Sequence, residues 1–186
     1  ETSISYNSIQ NEVKIMTESG RMCRPLLIVL NKWDLIAKED QAELLDETRW
    51  QLDTGLSQVK NIPMLTISAL TGYKVDRLLK PVMDLYDLWH KRVSTGQLNK
   101  FLEGMVEAHH PPLAGNGKRV KIKYMAQTGI RPPTFTLMCN LPKAVPDSYL
   151  RYLSNGVRET FGFDGIPMRM KTRAGDNPYK NKQKKR

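Results

Sequence analysis

Asn31, Lys32 and Asp34 stand in the order N-K-x-D, a spacing that can read a purine base. An Asp carboxylate accepts two hydrogens at once, from the N1–H and the exocyclic amine of guanine. Adenine offers no such donor pair and would leave the carboxylate unpaired, at a several-fold or greater loss of affinity. The Lys stem can lie across the purine face. The Asn amide can brace neighbouring loops and meet the N7 edge of the base. Ser68, Ala69 and Leu70 follow 37 residues after Asn31. Their backbone N–H groups can meet the guanine O6. The plainer alternative makes Asp34 a loop acid and Ser68 a helix cap.

Such residues need strands to hold them. The apolar run Leu26–Leu30 directly precedes the motif and predicts a strand buried on both faces, as in a parallel sheet. In open α/β sheets ligands bind beyond the carboxyl ends of the strands, where these residues lie. Pro63 leads into a second short strand, Met64–Ile67, which ends at Ser68. Ile9, Val13 and Met16 predict a helix before the first strand. Residues 39–57 predict another, with Ala42, Leu45, Leu52 and Leu56 near one face. Val75, Leu78, Leu79, Val82, Tyr86 and Trp89 mark a third. This α-β-α-β-α order implies parallel strands joined by crossovers.

The second half follows another plan. Ser94-Thr95-Gly96-Gln97 has capping-box spacing, and a helix follows with Leu98, Phe101, Leu102, Met105 and Val106 inward. His109-His110-Pro111-Pro112 stops it; with no carboxylate or thiol at ligand spacing, the histidine pair reads as a helix stop rather than a metal site. Val120, Ile122, Tyr124 and Ala126 alternate with Lys121 and Lys123, as in a half-buried strand. Phe135, Leu137 and Cys139 mark the next. Asp147 can cap a helix carrying Tyr149, Leu150, Leu153, Val157 and Phe161. Ile166, Met168 and Met170 alternate with Arg169 and Lys171 in a final strand. The order is α-β-β-α-β, an α+β arrangement with helices on one side of a sheet. With Val120, Ile122, Tyr124, Ile166, Met168 and Met170 toward the helices, Lys121, Lys123, Arg169, Lys171 and Arg173 share the opposite face. Residues from Arg173 to Arg186 are polar and basic, a composition that predicts disorder.

Charge divides the same way. Residues 1–93 carry 12 Lys and Arg against 13 Asp and Glu, whereas residues 94–186 carry 17 against 6. The net charge of +10 therefore belongs to the second half. Either that surface is simply solvated, or it meets an anionic partner, nucleic acid first among them. The two cysteines, Cys23 and Cys139, lie far apart and read as reduced thiols. No run of 18 apolar residues predicts a membrane span, and no signal peptide is evident. Glu1 in place of an initiator Met predicts a processed or truncated product.

Asn31–Leu35 and Ser68–Gly72 resemble the fourth and fifth motifs of a translational-GTPase-like G domain. The second half resembles the C-terminal KH-like domain of the EngA/Der family of bacterial tandem GTPases. The matching stretches are Arg92–Asn99 (RVSTGQLN), Pro111-Pro112, Lys121–Tyr124 (KIKY), Arg131–Phe135 (RPPTF), Tyr149–Asn155 (YLRYLSN), Arg158–Phe163 (RETFGF), Gly165–Met168 (GIPM) and Asn177–Tyr179. The resemblance implies an α/β fold: the end of a second P-loop GTPase G domain over residues 1–92, a KH-like domain over 93–173 and a basic tail over 174–186. It implies a cytoplasmic, monomeric GTPase of ribosome biogenesis and large-subunit assembly, with GTP or GDP and Mg²⁺ as cofactors. Its implied partners are ribosomal RNA, the large subunit and the preceding G domains, with no membrane.

The sequence also departs from that pattern. It contains no G-x-x-x-x-G-K-[S/T] loop for phosphates and no D-x-x-G switch, and residues 1–8 match the family poorly. No catalytic residue and no metal ligand are therefore assigned to this chain, which alone is expected to be inactive. The KH-like half has no G-x-x-G loop between its helices; Gly162–Gly165 precedes the last strand instead. A non-enzymatic RNA- or ribosome-binding module, with the G-domain part as scaffold, is the competing reading.

Overall fold

A computed structural model describes residues 24–55, 59, 61–115 and 117–175. The helix expected around Ile9–Met16 and most of the basic tail lie outside these residues. The described chain divides into two compact units. The first holds residues 24–91 with the short segments 130–133 and 162–168; the second holds 92–129, 134–161 and 169–175.

In the first unit, β1 (Ile28–Leu30) pairs in parallel with β2 (Met64–Thr66), and α1 (Gln41–Gly55) forms the crossover between them. α2 (Leu79–His90) follows β2. Leu52, Val59 and Ile62 form a small core against which Leu26, Ile28 and Met64 pack. β1 is shorter than its apolar run. It is not buried on both faces either, since Val29 is 37% exposed. The physical reason is that β1 pairs with β2 alone among the described residues. Ala42 is exposed on α1, and α2 turns Leu79, Val82 and Tyr86 outward while Leu85 is buried.

The second unit begins with α3 (Thr95–Ala108). Ser94 caps it: its Oγ accepts from Gln97 N–H at 3.3 Å, and Gln97 Oε1 accepts from Ser94 N–H at 3.3 Å. This reciprocal box satisfies two otherwise orphaned donors. His110 Nδ1 lies 2.6 Å from Val106 O at the far end, so this histidine serves the helix terminus. β3 (Ile122–Gly129) is antiparallel to β4 (Thr134–Cys139), which is parallel to β5 (Arg169–Ala174). α4 (Asp147–Phe161) supplies Leu153 and Val157 to the core. With Leu98, Met125, Phe135, Leu137 and Cys139 these side chains are fully buried. Burial pushes the Cys139 thiol up, which keeps it protonated and inert.

Two expectations fail here. Met125, not Tyr124, points into the core; Tyr124 is exposed. The cause is a β-bulge: Ile122 lies opposite Cys139, yet Tyr124 lies opposite Met138. The extra residue reverses the inward–outward phase. Ile166 and Met168 precede β5 rather than belong to it, although Ile166 is buried. At the other end β5 continues through Arg173 to Ala174, taking the first residues of the expected tail into the sheet.

Candidate functional site: a base-reading loop pair and a basic sheet face

The β1–β2 ladder continues beyond the strands. Ile67 N–H donates to Leu30 O at 2.9 Å, and Trp33 N–H donates to Ile67 O at 3.0 Å. Both predicted loops thus leave the same end of adjacent parallel strands, and the first is still hydrogen-bonded as it turns. Trp33 is buried and anchors that turn. Lys32 takes a left-handed conformation at φ 61, ψ 35, which for a non-glycine residue costs about 1–3 kcal/mol. A 3-10 turn over Trp33–Leu35 then presents Asp34 to solvent.

Asn31 joins the loops. Its Oδ1 accepts from Lys32 N–H at 2.7 Å and from Ala69 N–H at 3.0 Å. Asn31, Lys32 and Asp34 are thereby brought beside Ser68–Leu70, with the amide bracing that its chemistry predicts. The backbone amides are another matter. Ala69 N–H is committed to Asn31, and Ser68 N–H donates to Tyr73 O at 3.1 Å. Of the three N–H groups expected to face a base, only that of Leu70 carries no hydrogen bond among the described residues. Leu70 itself is 87% exposed. Ser68 is fully buried, and its Oγ accepts from Thr71 N–H at 3.1 Å, closing the loop as a cap would. Gly72, at φ 77, makes the reversal that returns Tyr73 to Ser68. A cavity of about 610 Å³ opens beside Trp33, Lys38, Gln41, Thr71 and Tyr73; of the six predicted base-site residues only Asp34 lines it.

In the second unit, β5 sets the basic face. Arg169, Lys171 and Arg173 pair with Thr134, Thr136 and Met138, whereas Met170, Thr172 and Ala174 pair with the core residues Phe135, Leu137 and Cys139. The three cations therefore share the side away from the core. Lys123 joins them: its ammonium lies close to the backbone of Gly175, just beyond the end of β5. Lys121 precedes β3; it lies between buried Val120 and half-buried Ile122 and is exposed. Lys121, Lys123, Lys171 and Arg173 are exposed, and Arg169 is half-buried. Sequence pattern missed Tyr124 on this face. The bulge that places it there leaves no mark in hydropathy, because Tyr and Met both read as apolar. No group of three or more His, Cys, Asp or Glu side chains fit to hold a metal ion occurs among the described residues. No helix among them is long and apolar enough to cross a membrane.

Residues 92–173 match the family model described as KH-domain-like of EngA bacterial GTPase enzymes, C-terminal. A second model, RNA polymerase Rpb2, domain 4, matches residues 1–30, of which 1–23 lie outside the described residues. The chain is 44% identical over 177 residues to GTPase Der of Roseobacter denitrificans, covering 94% of this chain and 35% of that protein. It is 45% identical over 163 residues to GTPase Der of Mesorhizobium japonicum, covering 88% and 33%. The chain thus spans about a third of the length of the curated relatives it matches. A solved structure of Era in complex with MgGDPNP and 16S ribosomal RNA nucleotides is 15% identical. It covers 88% of this chain and 59% of its own at a TM-score of 0.30. With the KH-like stretch matched along its length and 44% identity to GTPase Der over 94% of the chain, the chain belongs to the EngA/Der family and corresponds to the C-terminal part of its members.

Proposed function

We propose that this chain is part of a cytoplasmic, monomeric GTP-hydrolysing protein that acts in ribosome biogenesis, in assembly of the large subunit. Residues 1–92 are the end of its second G domain, residues 93–173 its KH-like domain, and residues 174–186 a basic tail. Asn31, Lys32, Asp34 and Ser68–Leu70 form the guanine-specificity half of the nucleotide site. Asp34 pairs with the N1–H and amine of the base, Lys32 lies along its face, and Asn31 holds the two loops together. Lys121, Lys123, Arg169, Lys171 and Arg173 are the second unit's contact with ribosomal RNA or with a preceding G domain.

The observation that carries this reading is the double acceptor role of Asn31, which ties the N-K-x-D loop to the loop after β2. The name of the relatives, GTPase Der, supports hydrolysis by the whole protein. This sequence holds no phosphate loop, so hydrolysis belongs to the complete protein and not to this chain. Its described side chains offer no group of three or more His, Cys, Asp or Glu that fits Mg²⁺.

The test is base selectivity in the full-length protein. Asp34→Asn exchanges an acceptor for a donor, so preference moves from GTP toward xanthosine triphosphate by at least tenfold. Selectivity equal to that of the unaltered protein refutes the assignment. The competing scaffold reading predicts no guanine nucleotide binding with or without the change.

A further inference from the structure

We propose that the basic face of the β3–β4–β5 sheet binds unpaired RNA, with Tyr124 as the ring on which a base stacks. The proposal rests on the reading above that this face meets RNA, and it names which form of RNA and which side chain selects it.

The bulge is the first observation. Uninterrupted pairing from Ile122 opposite Cys139 would set Tyr124 opposite Leu137, on the buried side. Instead Tyr124 lies opposite Met138 and Met125 takes the place opposite Leu137. A fully buried Met125 and a Tyr124 that is 41% exposed are the two outcomes of that one inserted residue. Bulges re-aim side chains at working surfaces. Here the re-aimed group is the aromatic ring of the face. Among the described residues, its hydroxyl makes no hydrogen bond and its ring no aromatic or cationic contact.

The surroundings are the second. Met138 is flanked by Tyr124 on β3 and Arg173 on β5, so ring and guanidinium stem from strands about 10 Å apart across the sheet. Lys123 sits beside the ring in sequence and extends toward Gly175; Lys171 stands two residues before Arg173 on the same face. None of the three strands carries a carboxylate. A ring set among cations, with no anion to repel phosphate, is the pattern of single-strand platforms, where bases stack on aromatics and the charges track the backbone. A duplex hides its base faces and is gripped through phosphates and 2′-hydroxyls, for which the ring is unnecessary. An acidic protein surface would likewise use the cations and leave the ring idle.

The experiment measures binding of the 186-residue chain to a 12-nucleotide unpaired RNA containing one 2-aminopurine, and to a 12-base-pair RNA duplex. The expected result is tighter binding of the unpaired strand, with the 2-aminopurine fluorescence quenched by stacking. Tyr124→Leu weakens that binding by about tenfold and abolishes the quench. Tyr124→Phe preserves both, which separates stacking from loss of fold. Lys171→Gln weakens both RNAs, flattens their salt dependence and keeps the quench at saturation. Binding of unpaired RNA that is indifferent to Tyr124→Leu overturns the stacking and leaves the RNA reading standing. Equal binding of duplex and unpaired RNA also overturns it. Failure of both RNAs to bind overturns the RNA reading together with this one, and leaves the face to an acidic protein surface.

Discussion

In the second unit, Leu98, Met125, Phe135, Leu137, Cys139, Leu153 and Val157 are fully buried, and they come from α3, β3, β4 and α4. In residues 24–91 the corresponding cluster is Leu52, Val59 and Ile62, with half-buried neighbours, while Leu79, Val82, Met83 and Tyr86 on α2 are exposed. One region is organised around interlocked apolar side chains. The other sets its loops mainly by main-chain and side-chain hydrogen bonds: the extended ladder at Trp33, the Asn31 brace and the Ser68 turn. A hydrogen bond exchanged for one to water contributes about 1 kcal/mol, whereas a buried aromatic contributes several. The two regions should therefore answer differently to the loss of a single side chain.

The largest effect expected is Phe135→Ala. Removing a fully buried ring from β4 costs about 3–5 kcal/mol through lost transfer energy and the cavity left behind. Trp33, Trp50 and Trp89 are the chain's three tryptophans and all lie in residues 24–91. In urea unfolding the variant should shift to lower denaturant the part of the far-ultraviolet circular dichroism change that α3, α4 and the three-stranded sheet contribute, and leave the tryptophan transition in place. A common shift of both signals breaks the comparison, since the two regions would then unfold as one.

Asn31→Ala should do the reverse on a smaller scale. It deletes the acceptor for two N–H groups that water can still reach, so the expected loss is about 1–2 kcal/mol, confined to the first unit and followed by the tryptophan transition. Hydrogen exchange at the Ala69 amide gives the sharper readout. Protection is lost in Asn31→Ala and retained in Asn31→Asp, which keeps an acceptor oxygen. An Ala69 amide that stays protected in both variants would mean that packing, not Asn31, holds the loops.

The contrast also explains what could be read from the sequence. The residues proposed to read a base stand out because their chemistry is local: Asn, Lys and Asp at fixed spacing after an apolar run, then Ser-Ala-Leu after the next. The Ser94–Gln97 capping box was legible for the same reason, and the structure closes it. The inward set Phe135, Leu137 and Cys139 followed from simple alternation along β4. Alternation failed on β3 because it carries phase only while pairing is unbroken, and the bulge before Tyr124 adds one residue. The use of the Ser68 and Ala69 amides was hidden as well. Backbone donors have no residue type to betray them, and their partners, Tyr73 O and Asn31 Oδ1, are fixed only by the closed loop.

The smallest effect sharpens the account of the packed unit. Tyr149 on α4 is buried, and its hydroxyl donates to His109 O at 2.9 Å, at the end of α3. Burial, with a smaller contribution from Tyr152, pushes its pKa up to about 12. An unfolded chain releases the same proton near pH 10. The stability this raises is fully present below about pH 10 and is lost as pH climbs toward about 12, because in that window the unfolded state binds fewer protons. Tyr149→Phe loses the hydrogen bond, about 1 kcal/mol at neutral pH, and also removes this group's share of the alkaline slope. The circular dichroism transitions of the two proteins should therefore differ at pH 7, draw together as pH rises above about 10 and cross before pH 12, with tryptophan fluorescence showing no such crossing. An unchanged alkaline slope in the variant would assign that slope to another group and leave Tyr149 only its hydrogen bond to the end of α3.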